Sequence, residues 1–188
     1  PGAKILYDVK CTRLLPKAIE DAGGEALMWK TGHSFIKAKL RETGGAFGGE
    51  MSGHLFFKER WYGFDDALYA AARLCEVLSG DDRPPSTVFA EIPDTVNTPE
   101  LRVEMNEGEH HALIQELVAN SNFSGGSVCN IDGVRVDFED GFGLARASNT
   151  TPTVILRFEA DTASALERIQ DLYREQILAL RPALTLPF

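Results

Sequence analysis

Cysteine and histidine are both scarce in this chain of 188 residues. The cysteines are Cys11, Cys75 and Cys129, an odd number of widely separated thiols, so neither a disulfide framework nor a cysteine metal site is expected. The four histidines form no two-histidine zinc motif with a nearby acid. A structural metal is therefore not expected, and a reducing cytoplasm is the expected location.

Long apolar runs and an excess of basic residues are also missing. No stretch approaches the ~20 apolar residues that a membrane-spanning helix needs, and no signal peptide is recognisable at the start. Acidic residues outnumber basic ones 28 to 19, which argues against binding to nucleic acids or anionic membranes, because phosphate-rich surfaces favour basic partners. A small phosphorylated ligand stays compatible, because it needs only a few local donors.

The first half of the chain alternates between strand and helix patterns. Residues 3–9 and 25–29 are apolar runs of strand length, and helical stretches follow from Pro16 and over 34–41. This alternation predicts an α/β domain with a mixed, mainly parallel sheet. Ligands of such sheets bind beyond the carboxyl ends of the strands. Three loops are expected there, at residues 10–13, 30–34 and 48–54.

A long helix is predicted next, with one apolar stripe that we expect to be core. The stripe consists of Phe64, Leu68, Ala71, Cys75 and Leu78. The composition changes after Pro93, so we place the domain boundary within residues 80–97 and the two domains at 1–92 and 93–188. The second domain reads as four short hairpin-linked strands between residues 128 and 158, with helices at 109–119 and 162–180. This order predicts a smaller α+β domain with an antiparallel sheet and two helices.

Residues 48–54 read GGEMSGH, a loop whose glycines let the backbone come close to a ligand. Glu50 and Ser52 are two residues apart, so in an extended segment both side chains point to the same side. A carboxylate beside a hydroxyl is suited to binding neighbouring sugar hydroxyls. The alternative is a tight β-turn with solvated polar residues.

Residues 146–152 read RASNTTP and follow a predicted strand. Arg146 offers forked donors that match a phosphate, and Ser148, Asn149 and Thr150 add hydroxyl, amide and backbone donors. This pattern indicates an anion site. The alternative is a loop whose side chains cap their own backbone.

Two further loops carry cationic or titratable groups. Lys10 follows the first strand, at the edge of the sheet where a ligand is expected. The alternative interpretation is that Lys10 and Arg13 are simply exposed cations. His33 is a candidate proton carrier, and the alternative is a structural segment in which Ser34 caps the next helix. We expect the pair His110 and His111 to be solvated surface, and residues 137–140 to be a hairpin end and not a metal site.

These loops occur together and in order, and the combination resembles the α-D-phosphohexomutase family, specifically its bacterial phosphomannomutase/phosphoglucomutase branch. GEMSGH at 49–54 is similar to that branch's sugar-binding loop, and RASNTTP at 146–152 to its phosphate-binding loop. DVKCTR at 8–13, KTGHS at 30–34, FDD at 64–66 and RFEADT at 157–162 match further segments. The resemblance implies four domains, of which this chain carries the third and fourth. A phosphoserine loop (TxSHNP) and a metal loop (DGDGD) do not occur in it.

The resemblance also implies a mechanism for the complete enzyme. A phosphoserine with Mg²⁺ alongside phosphorylates a glucose or mannose 1- or 6-phosphate, and the hexose 1,6-bisphosphate then turns over and returns its other phosphate. The matched phosphate-binding residues are Arg146, Ser148, Asn149 and Thr150. Glu50 and Ser52 match the hydroxyl-binding pair, and Lys10 and His33 match residues that line the cleft.

For this chain alone, the resemblance implies binding without turnover. The N-terminal domains of the enzyme are the expected partners, and without them exposed apolar surface should cause dimerisation or poor solubility. Two alternatives stay open: a free-standing, non-catalytic phosphosugar-binding module, and a structural pair of domains that keeps the loops without using them.

Overall fold

The computed structural model describes every residue from Pro1 to Phe188. The chain divides into two compact units, Pro1–Asp94 and Thr95–Phe188. Unit 1 contains, in chain order, β1 (Lys4–Asp8), α1 (Leu15–Asp21), β2 (Glu25–Trp29), α2 (His33–Thr43), β3 (Phe47–Gly49), β4 (Leu55–Phe57), α3 (Ala67–Ser79) and α4 (Pro85–Phe89).

The sheet of unit 1 is mixed, which confirms the predicted α/β class. Its strand order is β2-β1-β3-β4, with β1 parallel to β2 and β3, and β4 antiparallel to β3. Consecutive residues of a strand face opposite sides of its sheet. On β1, Leu6 packs with Ile36 of α2, whereas Tyr7 packs with Ile19 of α1. The two helices therefore cover opposite faces of the sheet.

Helix α2 ends at Thr43, two residues beyond the stretch 34–41 that the sequence predicts. Gly44 adopts a left-handed conformation with φ 68°, and its N–H bonds back to the Leu40 carbonyl. Glycine takes this conformation without the steric cost that a Cβ would bring, so the chain turns here towards β3.

Helix α3 contradicts the prediction of an apolar core stripe. Asp66 caps its start by accepting a hydrogen bond from the Tyr69 N–H at 3.0 Å. No residue of α3 is buried, and Leu68 and Val77 are 85% and 66% exposed. The helix packs against the edge strand β4. The periodicity of a helix predicts an apolar face but not whether another element covers it.

Unit 2 contains β5 (Val96–Asn97), β6 (Leu101–Glu104), α5 (Glu109–Asn120), β7 (Ser127–Cys129), β8 (Val134–Phe138), β9 (Gly141–Ala147), β10 (Thr153–Ala160) and α6 (Ala163–Leu180). The sheet order is β5-β10-β9-β8-β7, β6 also pairs with β10, and every pair is antiparallel. Helices α5 and α6 contact each other and the central strands. The α+β prediction is confirmed.

Tyr173 of α6 is the largest fully buried side chain of the chain. Its single O–H is shared between the carbonyls of Gly143, at 2.7 Å, and Val134, at 3.0 Å. A Cβ on Gly143 would lie 2.3 Å from the Tyr173 ring, so this strand position needs glycine to admit the ring. Tyr173 therefore joins the helix to two strands both by packing and by hydrogen bonds.

The histidine pair of α5 is divided between core and surface. His111 is exposed as expected, but His110 is only 2% exposed, so the prediction of a solvated pair is wrong for His110. The reason is helical spacing, because His110 precedes the buried Leu113, Ile114 and Leu117 by three, four and seven residues.

The acidic segment at 137–140 closes the β8–β9 hairpin, and two of its acids form ion pairs. Asp137 contacts Arg135 at 2.8 Å, and Asp140 contacts Arg168 at 2.5 Å. None of the helices combines the length and the apolar character needed to cross a lipid bilayer.

Candidate functional site

A buried carboxylate ties together the three loops at the carboxyl edge of the unit 1 sheet. Asp8, the last residue of β1, is completely buried. Its Oδ1 accepts from the Cys11 thiol and the Met51 N–H, each at 3.2 Å, and its Oδ2 accepts from the Thr31 hydroxyl at 2.9 Å. Each donor belongs to a different loop, so the loops at 10–13, 30–34 and 48–54 share one anchor.

Glu50 lies at the base of its loop and does not point into solvent. Its side chain is buried and accepts a short hydrogen bond from the Gly32 N–H, which links it to the start of α2. Its own N–H donates to the His54 carbonyl, and its carbonyl accepts from Gly53, both at 2.9 Å. These bonds close the β3–β4 connection as a turn.

Ser52 occupies the exposed tip of that turn. The premise that Glu50 and Ser52 extend to one side of a strand-like segment is therefore wrong, because residues 50–53 are not extended. The alternative, a tight turn, describes the backbone correctly but not the buried carboxylate of Glu50.

Lys10 and His33 lie in the other two loops but differ in exposure. Lys10 is only 6% exposed, so the alternative of an exposed cation is wrong for it. His33 is exposed and is the first residue of α2. The helix is capped at Gly32 without a side-chain hydrogen bond, so Ser34 does not act as its cap.

Two features of unit 1 escaped the sequence analysis. His54 Nδ1 lies 2.5 Å from Asp65 Oδ2, which orients the ring of a half-exposed histidine beside the Glu50 turn. The ten residues between the two leave no local sequence signal. Asp8 did leave a sequence signal, because it is a lone acid at the end of an apolar strand. If such a carboxylate is buried, it needs hydrogen-bond donors nearby.

In unit 2 the predicted phosphate loop connects β9 to β10. The Ser148 N–H donates to the Thr153 carbonyl at 2.9 Å. The Ser148 hydroxyl accepts from the backbone N–H groups of Thr150 and Thr151, both at 3.3 Å. Ser148 is buried and organises the loop, as the self-capping alternative expects, whereas Asn149 and Thr150 are exposed.

Arg146 stands on β9 immediately before this loop and is only 4% exposed. Its Nε donates to Asp132 Oδ2 at 2.9 Å. Its Nη2 is buried and has no hydrogen-bond partner in the structure. An unsatisfied charged donor is costly in a protein interior, so this edge of the guanidinium is suited to an anionic ligand.

The side chains of this chain do not fit the Mg²⁺ that the resemblance implies. No group of three or more histidine, cysteine, aspartate or glutamate residues is placed to hold a metal ion. We therefore assign no residue of this chain to a metal and derive no step through one.

Comparison with known proteins accounts for both units. Residues 1–96 match the model of phosphoglucomutase/phosphomannomutase alpha/beta/alpha domain III, and residues 100–176 match that of the phosphoglucomutase/phosphomannomutase C-terminal domain. The phosphomannomutase/phosphoglucomutase of Pseudomonas aeruginosa strain PAO1 is 52% identical over 188 residues, which are 100% of this chain and 41% of that protein. The phosphoglucomutase of Neisseria gonorrhoeae is 56% identical over 179 residues, 94% of this chain and 39% of that protein.

Solved structures give the same assignment. A phosphoglucomutase/phosphomannomutase family protein from Burkholderia thailandensis matches with a TM-score of 0.93 and 55% identity, over 100% of this chain and 40% of that one. The N-acetylphosphoglucosamine mutase of Aspergillus fumigatus, at 17% identity and a TM-score of 0.61 over 98% of this chain and 39% of that one, shares the fold. The chain thus spans about 41% of the length of the curated relatives that it matches. Because the two family models together cover nearly all of it, the chain belongs to the phosphoglucomutase/phosphomannomutase family and carries domain III and the C-terminal domain.

Proposed function

We propose that this chain is the substrate-binding part of a phosphomannomutase/phosphoglucomutase, an isomerase that interconverts hexose 1-phosphates and hexose 6-phosphates through a hexose 1,6-bisphosphate. The observation that carries the proposal is the buried Nη2 of Arg146, which has no partner and lies two residues before a loop that Ser148 holds in shape. The substrates are glucose and mannose phosphates. The phosphoryl-transfer step is assigned to no residue of this chain.

In this proposal unit 2 binds the phosphate that does not react. The Arg146 Nη edge supplies a fixed charge, and the exposed Asn149 and Thr150 donate to the remaining phosphate oxygens. Ser148 holds the loop in shape. A site that binds either phosphate of the bisphosphate must be rigid and must not react. The bonds to Ser148 give this loop a fixed shape, and the proposal assigns it no reacting group.

Unit 1 binds the sugar in this proposal. One carboxylate oxygen of Glu50 is occupied by the Gly32 N–H, which leaves Oε2 to accept a sugar hydroxyl, and the exposed Ser52 hydroxyl donates or accepts a second bond. Lys10 and His33 line the same edge. Phosphoryl transfer is catalysed mainly by positioning and by stabilisation of charge, so residues that only bind still contribute to the rate.

Replacement of Arg146 by alanine tests the proposal. We expect Arg146→Ala to weaken binding of glucose 1-phosphate by about 1.5–3 kcal/mol, the scale of a hydrogen bond to a charged group. Titration of the isotope-labelled chain, followed by backbone amide resonances of residues 146–152, measures the loss.

Arg102→Ala is the matched control, because Arg102 is an exposed arginine of the same unit that pairs with Glu100. It should leave the affinity unchanged. If wild-type resonances do not move with glucose 1-phosphate, or if both variants bind equally well, the proposed function is wrong.

The α3 face, formed by the exposed Leu68, Leu74 and Val77, is part of the same proposal. Matched relatives are much longer than this chain, and we assign the face to contact with their additional polypeptide. Apolar surface of this kind drives association when it lacks its partner. The chain alone should therefore self-associate through α3.

Sedimentation velocity over a range of concentrations checks this expectation. The double substitution Leu68→Glu, Val77→Glu should yield a monomer, whereas Val128→Glu, at an exposed valine of unit 2, should not. A wild-type chain that is monomeric at every concentration would contradict the assignment.

A further inference from the structure

The connection between β7 and β8 reaches the phosphate-binding arginine from a different part of the sheet. It contains Asp132, whose carboxylate lies 2.9 Å from the Nε of Arg146. Both side chains are largely shielded from solvent, at 14% and 5% exposure. A pair so placed is held much more firmly than a pair on the surface.

The backbone of this turn lies directly against β9. Gly133 has φ 87°, and a Cβ there would come within 2.3 Å of the Ala145 carbonyl oxygen and 2.7 Å of Arg146 Cα. No other residue type fits without a shift of the backbone. The backbone of the turn, which carries Asp132, is therefore held close against β9.

The guanidinium of Arg146 is planar, so one fixed edge determines the direction of the others. With Nε bound to Asp132, the partnerless Nη2 has a defined orientation. We propose that Asp132 is a positioning residue for the phosphate site: it holds the Arg146 side chain so that its Nη edge meets a sugar phosphate. This inference rests on the proposed function and adds a residue to it.

Charge and geometry make opposite predictions for the removal of Asp132. A carboxylate repels a nearby phosphate. If the effect of Asp132 were purely electrostatic, removal of its carboxylate would therefore strengthen binding of the phosphate. If Asp132 positions Arg146, its loss weakens binding, because the guanidinium then samples orientations that do not face the ligand. The sign of the change therefore distinguishes the two effects.

The experiment is a titration of the 188-residue chain and its variants with glucose 1-phosphate, followed by NMR. We expect Asp132→Ala to raise Kd about tenfold, which is the scale of one hydrogen bond. Asp132→Asn should stay within about threefold of wild type, because its amide oxygen can still accept the Nε–H. Such rescue would not occur if only the charge mattered.

Asp137→Ala is the matched control, because it breaks the similar Arg135–Asp137 pair of the same sheet, at 2.8 Å. Its Kd should stay within about twofold of wild type. The positioning role is overturned if Asp132→Ala binds as tightly as Asp137→Ala or more tightly. Absence of binding by wild type would instead overturn the proposed function, and this inference with it.

A second measurement covers the case in which Asp132→Ala does not fold. In the wild-type chain saturated with glucose 1-phosphate, the Arg146 Nε–H resonance should exchange slowly with water, since Asp132 still accepts it. Fast exchange would show that the contact is not held in the complex and would overturn the positioning role.

Discussion

Replacement of Asp8 by alanine is expected to destabilise unit 1 by on the order of 3–5 kcal/mol, because it removes a fully buried acceptor of three hydrogen bonds. The Cys11 thiol, the Met51 N–H and the Thr31 hydroxyl each lose their bond to Asp8, and a small cavity opens beneath the three loops. Asp8→Asn keeps the side-chain volume and one acceptor oxygen, so it should lower the free energy of unfolding by less than Asp8→Ala does.

Urea unfolding followed by tryptophan fluorescence measures this change in unit 1, since Trp29 and Trp61 are the only tryptophans of the chain. Asp21→Ala is the control, because Asp21 forms an exposed pair with Lys17, and its replacement should change stability by less than about 0.5 kcal/mol. An equal effect of the two alanine substitutions would show that Asp8 does not anchor the loops.

Tyr173→Ala should destabilise unit 2 by about 3–5 kcal/mol, the usual cost of removing a large buried ring. Tyr173→Phe removes only the hydroxyl and exposes two carbonyls to an apolar neighbour, so it should cost about 1–3 kcal/mol. Hydrogen exchange of the β8 and β9 amides measures both. A loss in the alanine variant no greater than that in the phenylalanine variant would contradict the packing role.

The same hydroxyl makes stability depend on alkaline pH. Burial raises the pKa of Tyr173 well above its ordinary value of 10.0, so the folded chain keeps a proton that the unfolded chain loses. Since the unfolded state then binds fewer protons, stability falls as pH rises above about 10, by about 1.4 kcal/mol per pH unit. The fall should be steeper in wild type than in Tyr173→Phe, and parallel curves would contradict it.

Much of the fold follows from local patterns in the sequence. The strands of unit 2 are short runs between Asp-Gly turns, and the final helix begins where Thr162 caps it through the Ala165 N–H. In unit 1, the strand-helix alternation predicted that three loops would meet at one sheet edge, and the bonds to Asp8 join them there. These features depend on residues close together in the sequence, or on a general rule of sheet topology.

Other features depend on contacts that a sequence pattern does not contain. The apolar stripe of α3 has the spacing of a core helix, but burial also requires another element to cover it. The spacing of apolar residues does not predict whether such an element is present. His110 is buried because its helix turns it towards the sheet side, although the residue type suggests surface. The Asp132–Arg146 pair spans 14 residues and two strands, so the sequence showed Asp132 only as part of a turn.

The single acceptor at Asp8 also bears on how such sites can be altered. Loops that share one carboxylate cannot change or be exchanged independently. Each loop must place a hydrogen-bond donor against the part of the carboxylate that the other two loops leave unoccupied. A transplanted segment 48–54 would need a backbone N–H at the place of Met51, whatever side chains it brought. If this loop binds sugar as proposed, its recognition can vary only through side chains that leave this main-chain contact in place, such as that of Ser52 at the tip.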